Sequence, residues 1–288
     1  MSVSLVECIP NFSEGRNRAI VTSIEEAIGS AGAKILDRTL DHDHHRSVIT
    51  FAAPAGKVGE AAFRGVRRAV ESIDLRSHTG VHPRIGAADV VPFVPLKGVT
   101  LEDCVRIARE TGQRIWEELR VPVYLYEAAA LRPECRNLAD IRHGRVATPD
   151  YGESPLHPSA GAVVVGARKF LIAFNVNLDT ADVAIARRIA KAVRHSSGGL
   201  PNVKAMGVLL ASRNQAQVSM NLTDFEVTPI HVAFEAVRSE AARHGVGIAG
   251  TELIGLVPEK ALEITAAWYL KIEDFVPGVI LEHRLEER

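Results

Sequence analysis

The sequence predicts an α/β fold, α+β-like in its strand pairing, with helices covering mixed β-sheets. Three observations lead there. Short β-type runs alternate with helical patterns of roughly 10 to 15 residues along the whole chain. Several neighbouring strands are separated only by short polar turns, which suits antiparallel pairs inside an otherwise crossover-built sheet. The 288 residues, 47% of them apolar, also suffice for one large domain or two modest ones sharing an interface.

The elements follow in order. Leu5 to Ile9 reads as a strand, stopped by Pro10 and a polar turn through Asn11, Ser13, Glu14 and Gly15. Asn17 is placed to cap a helix in which Ile20, Ile24, Ala27 and Ile28 share a face. Lys34 to Leu40 and Ser47 to Ala52 read as strands joined by the turn DHDHH, and helices are expected at Val58 to Ile73 and, after Thr100, at Leu101 to Leu119. Val121 to Leu125 is again a strand.

Arg132 to Ser159 carries Pro133, Pro149, Gly152, Pro155 and Pro158, with a helical turn only at Leu138 to His143, so it reads as a functional loop or a linker. Beyond it come strands at Ala162 to Val165 and Phe170 to Asn175 and a helix at Thr180 to Val193. A strand pair, Ala205 to Leu210 and Gln217 to Asn221, surrounds the turn at Ser212 to Asn214. A helix at Pro229 to Arg243, a strand at Gly247 to Ile254 and a helix at Glu259 to Leu270 complete the pattern. The two halves are similar in layout without an exact repeat.

Charge and composition narrow the function. A formal net charge of -1 gives no global pull toward nucleic acid or an anionic membrane, and aromatics at 5% do not build a base-stacking platform. Cys8, Cys104 and Cys135 have no CxxC spacing and read as reduced thiols, Cys8 as core filler. The N-terminus lacks a secretory pattern, and no apolar run is long enough to span a bilayer, so a cytosolic protein is expected. There is no P-loop and no GxSxG elbow, and GVGIAG at Gly245 to Gly250 fails the GxGxxG spacing. His231 falls on a helical pattern and reads as a packed or surface histidine.

Three segments hold candidate chemistry. SHTGVHPRIGAAD, Ser77 to Asp89, has no amphipathic period; His82 precedes Pro83, which disfavours helix and fixes the imidazole on a rigid loop. Arg84 offers a fork for a carboxylate and Asp89 a partner for an imidazole or a cation, although a solvated turn would look the same. In DHDHH, Asp41 to His45, imidazoles and carboxylates crowd together, but neighbours in an extended segment point to opposite sides, which favours a polar hairpin turn over a metal site. YGESPLHPSAG, Tyr151 to Gly161, has small residues that let a ligand approach its backbone, and repeats the rigid His-Pro pair at His157 and Pro158; it reads equally as a connector.

These motifs resemble the glutamate formimidoyltransferases, the formiminotransferase half of formimidoyltransferase-cyclodeaminase. The resemblance rests on LVECIPNFSEGRN, HPRIGAADVVPFVPL, VPVYLYEAA, GARKFLIAFNVNL, NQAQVSMNLTDFEVTPIHVAFE and LIGLVPEKAL, spread along nearly the whole chain. It implies two subdomains, residues 1–170 and 171–288, whose mixed sheets face each other with helices on the outer faces, and a homodimer. It further implies transfer of the formimino group from N-formimino-L-glutamate to N5 of tetrahydrofolate, a step of histidine degradation, with both substrates in a tunnel between the subdomains.

By motif position the family's catalytic histidine falls on His82. Arg84 or Arg46 would then hold a donor carboxylate, and Asp37 or Asp41 would pair with the amidinium. The folate-contact loop falls on Gly152, Glu153, Ser154, Pro155, Leu156, His157, Pro158, Ser159, Ala160 and Gly161. Its end glycines and Pro-Ser pair follow the family pattern, and the residues between differ. The resemblance implies tetrahydrofolate as co-substrate; animal members carry few or no histidines at Asp41 to His45, so no metal is expected. The chain ends before any cyclodeaminase domain, leaving that step to a possible separate protein. Three alternatives stay open: formyl transfer between 5-formyltetrahydrofolate and glutamate, a non-catalytic folate-binding protein, and a metallohydrolase built on DHDHH.

Overall fold

A computed structural model describes residues 4–42, 44–78 and 84–286. The chain divides into two compact units, Met1–Lys169 and Phe170–Arg288. Among the described residues no helix is long and apolar enough to cross a membrane.

The first unit contains β1 (Leu5–Cys8), β2 (Asn11–Phe12), α1 (Arg18–Gly29), β3 (Lys34–Asp41), β4 (Arg46–Pro54), α2 (Ala55–Ser72) and β5 (Ala88–Lys97). It continues with α3 (Leu101–Leu119), β6 (Val123–Glu127), the short α4 (Leu138–Arg142) and β7 (Val163–Ala167). β1 and β2 lie end to end, both antiparallel to β4 on one side and to β5 on the other. Pro10 between them breaks the run but not the ladder, because its carbonyl accepts from Ile49 N at 3.1 Å while Ile9 N donates to Pro92 O at 3.2 Å. β3 edges the sheet against β4, and β7 and β6 extend it beyond β5 in parallel. The sheet is therefore mixed.

Helix ends are fixed locally. Asn17 Oδ1 accepts from Ala19 N, capping α1. Thr100 and Asp103 form a reciprocal capping box at the start of α3. Val21, Ile24 and Ile28 of α1, Val58, Phe63 and Val66 of α2, and Ile107 and Ile115 of α3 close over Val6, Cys8, Phe12, Ile49, Phe51, Val91 and Phe93 in one core. All three cysteines are buried free thiols. Burial pushes the Cys104 thiol up to about 11, so it is no ready nucleophile.

Two strands of this sheet depart from the sequence expectation. β5 is absent from it because Pro92 and Pro95 break the β pattern, yet β5 lies centrally, with Pro92 opposite Gly166 in the parallel ladder and Pro95 opposite Val6 beside a register shift. Asn11 and Phe12, expected in a turn, are strand residues, since Phe12 is a core side chain. The irregular segment after β6 holds α4 and a 3-10 turn at Pro133–Cys135; Cys135, Ile141 and Val146 pack on Tyr124, Tyr126 and Val164.

The second unit contains β8 (Ile172–Leu178), α5 (Val183–Val193), β9 (Val203–Leu210), β10 (Gln215–Leu222), α6 (Ile230–Arg243), β11 (Ile248–Ile254), α7 (Glu259–Leu270) and α8 (Leu281–Glu286). Its strands run β11–β8–β10–β9, antiparallel throughout. Phe174, Val176, Val218 and Met220 meet Ile189 and Val193 of α5 and Val237 and Ala241 of α6 in a separate core. β9 crosses α5 closely: a Cβ on Gly207 would stand 2.3 Å from Arg187 N. α8 and the 3-10 turn at Pro277–Val279 before it are not expected from the sequence, whose terminal charges mask any periodicity.

The Thr100 cap gives a direct test. Thr100→Ala should lower the unfolding free energy by about 1 kcal/mol, read from urea denaturation, while Thr100→Ser should lose much less.

Candidate functional site

Strand alternation decides what the first sheet offers a ligand. Val6 and Cys8 enter the helix-side core, so Glu7 projects from the opposite face; Phe12 does the same to Asn11, and Ile49 and Phe51 to Thr50. Glu7 is 5% exposed, and its Oε2 has no hydrogen-bond partner among the described residues. Burial pushes its carboxyl up to about 7, against the opposing charge of Arg168. A protonatable group poised near neutrality is the kind proton-transfer sites use. The sequence reading treats it only as part of a core strand, although a charged residue amid LVEC is itself a signal.

At the other end of this face, four side chains interlock. Glu14 Oε1 accepts from Arg16 N and Asn17 N, each at 2.8 Å, and stands 3.0 Å from His45 Nε2. Burial opposes ionisation of Glu14, but those N–H groups and the His45 ring outweigh it and hold the carboxyl below its usual range. The His45 ring stacks on that of His78, centroids 3.9 Å apart. Arg84 closes the group: Nη1 lies 2.7 Å from His78 Nδ1, and Nη2 donates to His44 O at 3.1 Å. Burial first, then the charge of Arg84, lowers the His78 pKa, so His78 is a neutral acceptor. Gly15 permits the contact, since a Cβ there would lie 2.2 Å from Asp41 O and 2.5 Å from Arg46 N.

The three segments singled out in the sequence thus meet. His78 and Arg84 flank residues 79–83 and touch the β3–β4 turn; His82 lies outside the described residues, as does Asp43. The loop from Tyr151 to Gly161 is stitched to the stretch after Arg84: Gly86 bridges Gly161, Ala87 N donates to Ala160 O at 2.9 Å, and Ala162 N to Ile85 O at 3.0 Å. Its end glycines both have positive φ, and a Cβ would strike Trp116 from Gly152 and Ile85 O from Gly161. Between them Glu153, Ser154, Pro155, Leu156 and Pro158 are exposed, while His157 is half-buried with Nδ1 accepting from Ala160 N.

Asp89, the extra residue where Asn11 faces Val90 and Phe12 faces Ala88, accepts from Ile85 N and pairs with Arg142. Arg46 donates to Asn11 Oδ1; burial and then the charge of Arg142 lower its pKa to about 10. Asp41 is spent locally, accepting from His44 N and Nδ1, and His42 O accepts from Arg16 Nε. The DHDHH turn is therefore clasped to the unit rather than merely solvated. Asp37 stands apart on β3 opposite Thr50, its one side-chain contact a 3.4 Å approach of Thr39 Oγ1, and it makes no ion pair among the described residues. The structure brings Arg84 to the His45 group and leaves Asp37 outside it.

The second unit repeats the alternation. Opposite its helix-covered face, Asn177 and Gln217 are register partners and hydrogen-bonded at 2.8 Å, and both reach Glu252, which Arg213 also binds at 2.6 Å. Those bonds hold the Glu252 carboxylate below its usual range. Sequence reasoning does not single out these polar residues, although period-2 polar positions in NVNL and NQAQVSMNL mark them. His231 is buried and stacks on Trp268 at 4.8 Å.

Residues 5–168 match the formiminotransferase domain, N-terminal subdomain, and residues 173–284 the formiminotransferase domain. A protein named glutamate formimidoyltransferase from Thermoplasma acidophilum is 48% identical, over 99% of this chain and 98% of its own length. One of the same name from Streptococcus pyogenes serotype M1 is 47% identical over 94% and 95%. The formimidoyltransferase-cyclodeaminase of Rattus norvegicus is 44% identical over 92% of this chain, which spans 52% of it.

Glu7 makes a pH test possible. A carboxyl whose pKa rises from 4.5 unfolded to about 7 folded binds its proton more tightly in the fold. The Glu7 contribution to stability should therefore be fully present below pH 4.5, fall as pH rises to about 7, and level off above, superposed on the opposite trend of carboxyls such as Glu14. Glu7→Gln should abolish that loss, on the order of 3 kcal/mol. Parallel pH–stability profiles for the two proteins would contradict it.

Proposed function

The chain belongs to the formiminotransferase family, and from that premise we propose that it moves the formimino group of N-formimino-L-glutamate to N5 of tetrahydrofolate, giving 5-formimidoyltetrahydrofolate and L-glutamate. The observation that carries this is the 47–48% identity, over nearly the whole chain, to two proteins named for that transfer.

In this reaction the N5 lone pair attacks the carbon of the protonated amidine, and the C=N π electrons move onto nitrogen. N5 must lose a proton, and the glutamate nitrogen must gain one before its C–N bond breaks. One imidazole with a near-neutral pKa performs both transfers in sequence, and His82 is the residue proposed for it. Its support is local: both residues bordering 79–83, His78 and Arg84, belong to the Glu14–His45 group.

Arg84 faces the donor carboxylate in this reading, its guanidinium oriented by the carbonyls of His44 and His45. Asp37, a carboxylate without an ion pair among the described residues, pairs with the amidinium. Tetrahydrofolate is a co-substrate held along Gly152 to Gly161, where the exposed residues between the two glycines supply the contacts. Alignment of the two substrates contributes more than proton transfer, on the order of 7 to 11 kcal/mol in ideal cases. A cytosolic homodimer completes the proposal; buried reduced thiols suit that compartment.

His82→Ala should cut kcat by roughly 10² to 10⁴-fold with folate affinity retained, and near-normal turnover would remove His82 from its role. Arg84→Ala should chiefly raise KM for the formimino donor. The purified protein assayed side by side with formimino- and formylglutamate should prefer the former; preference for the latter would replace the proposed cargo.

A further inference from the structure

Glu259 and Glu263 sit one helical turn apart on α7, and His283 of α8 reaches the same spot. His283 Nε2 lies 3.1 Å from Glu259 Oε2 and 3.5 Å from Glu263 Oε1, and the three donor atoms fall within 4.8 Å of one another. Donors about 2.1 Å from a tetrahedral ion stand roughly 3.4 Å apart, which the two separations from His283 Nε2 match.

Two further features point to a ligand. The Glu263 side chain is 9% exposed, and its Oε1, beyond the 3.5 Å approach of His283 Nε2, makes no hydrogen bond among the described residues. Buried oxygens of that kind normally have a partner. His283 Nδ1 lies 3.2 Å from Pro277 O, which can only accept, so Nδ1 carries a hydrogen. In the neutral ring Nε2 is then a bare lone pair aimed at two carboxylates. Metal-ligating histidines are oriented in this way, by a carbonyl or carboxylate on the far nitrogen.

We propose that Glu259, Glu263 and His283 bind one divalent transition-metal ion, Zn²⁺ by donor chemistry. Two carboxylates neutralise its charge, the imidazole disfavours Ca²⁺ and Mg²⁺, and water completes the tetrahedron. None of the three residues takes part in the proposed reaction. The ion ties α7 to the terminal turn and helix, where Val279, Leu281 and Leu285 are 60 to 69% exposed and apolar burial does little to anchor the chain. A proton on Nε2 is the competing occupant, since pairing with Glu259 raises the His283 pKa.

The test is calorimetric titration of Zn²⁺ into the chelator-treated full chain, wild type against Glu263→Gln and His283→Ala. His44→Ala is the control, because imidazoles and carboxylates also crowd the β3–β4 turn. Losing an outer-shell partner typically weakens a metal site about 10- to 100-fold; losing a ligand should weaken it at least about tenfold. One equivalent should bind the wild type and His44→Ala alike and bind both ligand variants at least about tenfold more weakly. Zn²⁺ should also slow hydrogen exchange across 277–286 in the wild type and not in His283→Ala. Absence of saturable binding, equal affinity in the ligand variants, or loss on His44→Ala would overturn the site.

Discussion

Because strand side chains alternate in direction, sending Val6, Cys8, Phe12, Ile49 and Phe51 beneath α1, α2 and α3 forces Glu7, Asn11 and Thr50 to the far face of the first sheet. The second sheet obeys the same rule, with Val176 and Val218 under helices and Asn177 and Gln217 opposite. Apolar packing thus consumes one face of each sheet and polar groups gather on the other, where the first sheet also carries a smaller apolar cluster around Tyr124, Tyr126 and Val164. A one-residue slip in β1 would exchange Glu7 for Val6 or Cys8, so the core fixes the register that places the chemistry.

Burying polar groups on such a face is costly unless each finds a partner. Most do: Asp89 holds Arg142 and Ile85 N, Arg46 holds Asn11, and Glu252 collects Asn177, Gln217 and Arg213. Glu14 is satisfied threefold, by two backbone N–H groups and a histidine. Among the buried carboxyls described on the first unit's polar face, Glu7 is the exception: one oxygen has no hydrogen-bond partner among the described residues, and burial pushes its pKa up to about 7. The partnered groups hold the architecture, while Glu7 keeps an oxygen able to carry a proton.

Helices are legible in the sequence wherever a cap and a 3.6-residue period coincide, as at Asn17 with Ile20 and Ile24, or Thr100 with Leu101 to Leu119. β5 is not, because local propensity counts Pro92 and Pro95 against a strand, whereas the ladder needs only the carbonyls that Pro92 and Phe93 lend to Ile9 and Arg168. The chemistry-bearing segments stand out by composition, but their meeting does not. Nothing local tells that His78 stacks on His45, 33 positions earlier in the chain. Glu7 is hidden by the opposite fault, since an apolar neighbourhood in sequence reads as burial of the whole strand.

The motifs carrying the family resemblance are of two physical kinds, and the structure separates them. Gly15, Gly152 and Gly161 stand where a Cβ would collide with backbone or a ring. Their presence is enforced by shape, and it would be enforced whatever the loop bound. Glu7 meets no such demand. An uncharged residue would satisfy the sheet at Glu7 more cheaply, given the cost of its desolvation. By that reasoning the exposed residues Glu153, Ser154, Pro155, Leu156 and Pro158 can vary within fixed ends, because the glycines set the loop's path.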